Sequence, residues 1–129
     1  ALTGPVEIPA SVTTIGTNPF LSASALTTIT VASGNTAYKA SNGVLYNYAG
    51  TQLITYPQGK TDTSYTVLST TTTIGSYAFE KAKLTSVILP AGLKTIESSA
   101  FSASKFVWSV IFVINCVICW ISFDCSSNR

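Results

Sequence analysis

The sequence predicts an all-β-rich solenoid: a stack of four to five rungs with short helical turns and one inserted β-hairpin. Three observations carry that expectation. They are a strand-favouring composition, a motif that recurs along the chain, and an apolar pair two residues apart inside each copy of it. Of 129 residues, 19 are threonine, 17 serine, 11 isoleucine and 10 valine. β-Branched side chains suit a pleated surface and lose rotamer freedom in a helix. Charged residues make up 9% of the chain, against about 25% in an ordinary soluble domain.

The first copy of the motif runs from Val6 to Phe20. It has an apolar pair two residues apart, Val6/Ile8, then Thr14-Ile15, then Phe20 five residues after the isoleucine. Alternate residues of a strand face the same side, so Val6 and Ile8 point inward together. The second copy keeps only the strand: Leu26-Thr-Thr leads into Ile29/Val31, with Thr28 and Thr30 facing out. Next comes Gly43 to Tyr56, two short alternating runs about a Gly-containing loop. This reads as a hairpin, within an insertion of about residues 34–60, that replaces the usual return leg. Tyr65/Val67, Thr73-Ile74 and Phe79 form the third copy; Val87/Leu89, Thr95-Ile96 and Phe101 form the fourth. Successive pairs begin at residues 6, 29, 65 and 87, so the spacings are 23, 36 and 22 residues. One such strand cannot bury its apolar face alone, whereas stacked copies form a continuous core. The Ile and Phe of each copy fill the same interior column from the return leg. The Ala-Phe segments suit a single helical turn.

The residues Leu84 to Phe101, Leu-Thr-Ser-Val-Ile-Leu-Pro-x-x-Leu-x-Thr-Ile-x-x-x-Ala-Phe, resemble the BspA-like leucine-rich repeat, also called the Treponema pallidum type. The stretch from Asn42 to Lys60 resembles a longer unit interleaved among such repeats. The resemblance spans roughly residues 3 to 104 and implies a leucine-rich-repeat stack. It also implies a cell-surface or extracellular location, a protein or glycan partner on a host cell or matrix, and no catalytic residues. Three departures stand out: Leu68 in place of the proline after the strand, Pro19 in place of the alanine before Phe20, and an apolar C-terminus. The absence of methionine, and an opening inside the repeat pattern, predict a fragment of a longer chain.

Residues 1–104 are thus expected to form the solenoid, and 105–129 an apolar segment with two readings. Residues 106–123 are interrupted only by Ser109, Asn115 and Ser122. As a helix they would span about 27 Å, close to a bilayer core of about 30 Å, so a membrane anchor is one expectation. The other is a degenerate repeat: adding 22 to Ile96, Phe101 and Leu89 reaches Ile118, Phe123 and Ile111.

Stacking aligns outward residues into two rows. Pro5, Thr28, Ser64, Ser86 and Trp108 form one; Glu7, Thr30, Thr66, Ile88 and Val110 form the other. Ile88, Trp108 and Val110 make an apolar patch, a contact surface or a face covered by further repeats. The tyrosines Tyr46, Tyr48 and Tyr56 could offer stacking faces to a glycan or peptide, or pair across their own hairpin. Chemistry is poorly supplied. There is no histidine to activate the many hydroxyls. Cys116-Val-Ile-Cys119 lacks the second pair that a zinc site needs. A net charge of +2 makes no basic stripe for nucleic acid. The expectation is a non-catalytic module without cofactor or metal, with a membrane-tethered stalk as the alternative.

Overall fold

The computed structural model describes residues 3–16, 19–20 and 22–104, together with the backbone of 111–113. Among them there is no helix, and the architecture is a β-solenoid. Strands β1 (Thr3–Ile8) and β2 (Ala25–Val31) pair in parallel, with Val6 opposite Ile29 and Ile8 opposite Val31. The register shifts between Gly4 and Pro5, where Thr27 is the extra residue on β2. That bulge resets the parity of the strand, so Leu26 and Ile29, three residues apart, are both buried.

The insertion adds β3 (Tyr38–Ser41), β4 (Val44–Asn47) and β5 (Gln52–Thr55) as an antiparallel meander. The expected hairpin is therefore present as β4–β5, and β3 is an extra strand. Asn42 and Gly43 join β3 to β4 with φ of 51° and 82°, the two left-handed residues a type I′ turn demands. After the insertion come β6 (Ser64–Thr66), β7 (Thr73–Ile74), β8 (Ser86–Leu89), β9 (Thr95–Ile96) and β10 (Ile111–Val113).

Two further sheets result. In the first, β6, β8 and β10 run parallel in the order β10-β8-β6. In the second, the order is β3-β4-β5-β7-β9, and β5 stands where a return leg would, with Leu53 opposite Ile74 and Ile74 opposite Ile96. Behind it runs an aromatic column. Phe79 stacks on Phe101 at 5.1 Å and 9°, and on Tyr56 at 5.4 Å and 27°. The backbone repeats too, since Tyr56 N–H donates to Ala78 O and Phe79 N–H to Ala100 O. Tyr56 thus fills the place of the motif phenylalanine.

The expected helical turns take the form of consecutive hydrogen-bonded turns. Ala78 N–H bonds Gly75 O, and Ala82 N–H bonds Phe79 O. Tyr77 and Lys81 are left-handed there, as are Ser99 and Ala103 one repeat later. The continuous core expected from stacking is instead divided. Val44 and Tyr46 pack with the aromatic column, whereas Leu45 packs with Ile8, Leu26 and Ile29. All three residues are fully buried, so β4 is a wall with a core on each face.

Gly59 ties the end of the insertion back to β2, its N–H donating to Leu26 O at 2.7 Å. A Cβ there would lie 2.7 Å from that oxygen and 2.9 Å from the Ala25 carbonyl carbon. Gly59→Ala is expected to lower stability by about 2 kcal/mol, the scale of overpacking against unyielding backbone. Urea unfolding monitored by tyrosine fluorescence reads the difference.

Candidate functional site

The outward residues of the parallel strands form the candidate site. Within each sheet the rows stand as the alternation requires: Pro5 beside Thr28 and Glu7 beside Thr30, then Ser64 beside Ser86 and Thr66 beside Ile88. Thr30, Ser64 and Thr66 are exposed, Thr28 and Ser86 are half-buried, and Ile88 is 43% exposed.

Between the two sheets the rows are broken. β2 pairs only with β1, and β6 only with β8, so Thr28 and Ser64 are not ladder neighbours. The Asn42–Gly43 turn stands in the break, and Ile29 N–H donates to Gly43 O at 2.9 Å. The result is a notch of about 470 Å³ in which Thr28, Ser64 and Thr66 meet Asn42, Gly43, Lys60 and Asp62. Lys60 Nζ pairs with Asp62 Oδ2 at 2.8 Å, with the lysine largely covered and the carboxylate in solvent. A pair open to solvent on its carboxylate side contributes about 0–1 kcal/mol; it presents two opposite charges at the rim. Asn42, Gly43, Lys60 and Asp62 were missed by repeat counting because they belong to the insertion or follow directly after it. The Asn-Gly dipeptide was the available signal.

Toward the C-terminus the register differs from the repeat count. β10 pairs with β8 so that Phe112 lies opposite Ile88, two positions later than the Val110 expected there. A stretch that departs from the 22-residue period sets its own register through its turns. Trp108 and Val110 themselves lie outside the described residues.

Two of the three tyrosines are not available to a ligand. Tyr46 and Tyr56 are 0% and 1% exposed, because the meander turns them into the aromatic core. Tyr46 does pair across its own hairpin, opposite Leu53 on β5, and both buried tyrosines also meet Tyr65 from a later rung. The Tyr46 and Tyr65 hydroxyls share a 2.6 Å hydrogen bond, Leu68 N–H donates to Tyr46 Oη at 3.2 Å, and Tyr56 lies edge-on to Tyr65. Burial raises the pKa of Tyr46, Tyr56 and Tyr65, so these phenols stay neutral. Tyr46 and Tyr65 act as hydrogen-bonding groups, whereas the Tyr56 hydroxyl is buried without a partner among the described residues. Tyr48 alone of the three is exposed, at 57%.

Hydroxyls, one carboxamide and an exposed ion pair make a surface suited to many weak polar contacts. Glu97 is exposed, and its carboxylate accepts from Ser76 N–H at 3.1 Å. Among the described residues, no three acidic, histidine or cysteine side chains gather to hold a metal ion, and no helix is long and apolar enough to cross a membrane.

Comparison with known proteins agrees with this geometry. The model of the BspA type Leucine rich repeat region matches residues 3–68 and 58–127, in six copies. No curated protein matches significantly. Among solved structures, the pneumococcal vaccine antigen PcpA is similar at 34% identity and a TM-score of 0.79, over 87% of this chain and 27% of that one. A leucine rich cell surface protein from Faecalibacterium prausnitzii is similar at 33% identity and a TM-score of 0.69, over 83% and 30%. A leucine-rich repeat protein from Eubacterium ventriosum follows at 29% and 0.66, over 79% and 36%. The chain therefore spans between about a quarter and a little over a third of the length of these structures. With the family match running nearly end to end and the strands stacking in parallel, this chain belongs to the BspA-type leucine-rich-repeat family.

Proposed function

We propose that this chain is a non-catalytic repeat module of a cell-surface protein, and that it mediates adhesion by binding a protein partner across the outer face of its parallel strands. One observation carries the reading: the outward residues Ser64, Ser86, Thr66 and Ile88 stand in register on an open face, where the fold itself makes no use of them. A rigid extended face of this kind gains strength from repetition, since linked copies convert later contacts into intramolecular ones. The cell-surface and antigen descriptions of two similar structures support the location.

Residues 105–129 are read as a further, degenerate repeat rather than a membrane anchor. The parallel pairing of 111–113 with β8 and the extension of the family match to residue 127 support this.

The test uses beads coated with the full chain on cultured epithelial cells. The double variant Thr66→Arg/Ile88→Arg is expected to lower attachment at least about tenfold, the loss of one hot-spot contact. Both positions are exposed, so the variant should stay folded, with a small drop in melting temperature from the two facing arginines. Unchanged attachment by a folded double variant would refute the reading.

A further inference from the structure

A second concavity opens beside the notch and shares only Asn42 and Gly43 with it. It is a basin of about 610 Å³ between β2 and β3. Tyr48 stands at its margin, the most exposed large apolar side chain among the described residues. We propose that this basin binds a neutral sugar ring of a glycan, with Tyr48 as the stacking platform.

The walls suit a polyhydroxylated ring. Thr30, Ser33, Thr36 and Asn42 all line the basin and are exposed. Ser33, Thr36 and Asn42 offer groups that both donate and accept, and the Thr30 hydroxyl, which donates to Val6 O at 3.4 Å, offers an acceptor. Backbone groups add to these. Ala32 N–H bonds Ile8 O across the ladder at 2.9 Å, so strand alternation turns the N–H and C=O of Val31 away from β1 and into the basin. A hexose has hydroxyls around its edge and C–H groups on its faces. Tyr48 supplies a rigid amphipathic ring for the face, and the polar walls supply partners for the edge. Lys39 is the one charged residue of the lining, and no carboxylate is present, so an uncharged ligand loses nothing there.

The outline of the basin separates a sugar from an extended peptide. Ile29 N–H bonded to Gly43 O closes one end, and the turn from Ala32 to Thr36, held by Asn35 N–H on Ala32 O at 3.2 Å, closes the other. Between them β2 contributes only Ile29 to Val31. An added strand needs an open-ended edge along which to run, whereas a compact ring needs only a bounded hollow with a few convergent polar groups.

The test is a heteronuclear NMR titration of the full chain with N-acetylglucosamine, galactose and mannose separately, and with a six-residue uncharged extended peptide. At least one sugar is expected to shift the amides of Thr30, Val31, Asn42 and Tyr48 saturably. Tyr48→Ala should weaken that binding by about tenfold, equivalent to ~1.4 kcal/mol, and Tyr48→Phe should retain it. The Thr66→Arg/Ile88→Arg variant should bind the sugar normally, which separates this site from the outer strand face. The proposal is overturned if no sugar shifts these amides, if Tyr48→Ala binds like the parent, or if only the peptide binds in the basin.

Discussion

Phe79→Ala is expected to lower the unfolding free energy by about 3–5 kcal/mol, the cost of truncating a fully buried aromatic residue. Phe79 is 0% exposed and packs between Tyr56 and Phe101, so its ring contacts the repeat on either side. Repeat proteins are held together by nearest-neighbour interfaces, and this one side chain contributes to two of them. Small domains have only about 5–15 kcal/mol to lose, so the variant should unfold at markedly lower urea. Tyr77→Ala, two residues away and 37% exposed, is the matched control and should shift the midpoint far less. Equal midpoints for the two variants would show that the column is not the spine of the stack.

Asn35→Ala is expected to cost about 2–3 kcal/mol, because four backbone partners lose a hydrogen bond, each worth about 0.5–1.5 kcal/mol net, and three of them are half-buried. Asn35 is 5% exposed and uses both ends of its amide. Its Nδ2 donates to Pro9 O at 2.9 Å and Val12 O at 3.0 Å; its Oδ1 accepts from Ala37 N–H at 2.7 Å and Tyr38 N–H at 2.8 Å. The residue thus ties the first return leg to the start of the insertion. Amide hydrogen exchange locates the effect: Ala37 and Tyr38 should lose protection in the variant, while Val87 in the next sheet keeps it. Exchange that rises equally at all three would mean that Asn35 acts on global stability alone.

Repeat spacing predicted much of this fold. The inward pairs Val6/Ile8, Ile29/Val31, Tyr65/Val67 and Val87/Leu89 face the interior as alternation requires, and Ile29 and Leu89 are completely buried. The rows Thr28/Thr30 and Ser64/Thr66 are outward for the same reason. The break between those rows was not visible, because a spacing of 36 residues states how long an insertion is and not where its turn will lodge. Tyr46, Tyr48 and Tyr56 look alike in sequence, yet two are core and one is surface. Their fates depend on whether Tyr65 and Phe79, from later rungs, arrive on the same side.

By itself the sequence determined the period, the direction in which the repeated apolar pairs face and the absence of a histidine-based active site. These follow from local backbone geometry and from composition. Only the tertiary structure decided that β4 is buried on both faces, that the Asn42–Gly43 turn splits the strand ladder and that the Tyr48 basin exists. Each of those depends on groups more than a dozen residues apart being brought into contact, as Ile29 is with Gly43, and such meetings are set by how the whole stack packs.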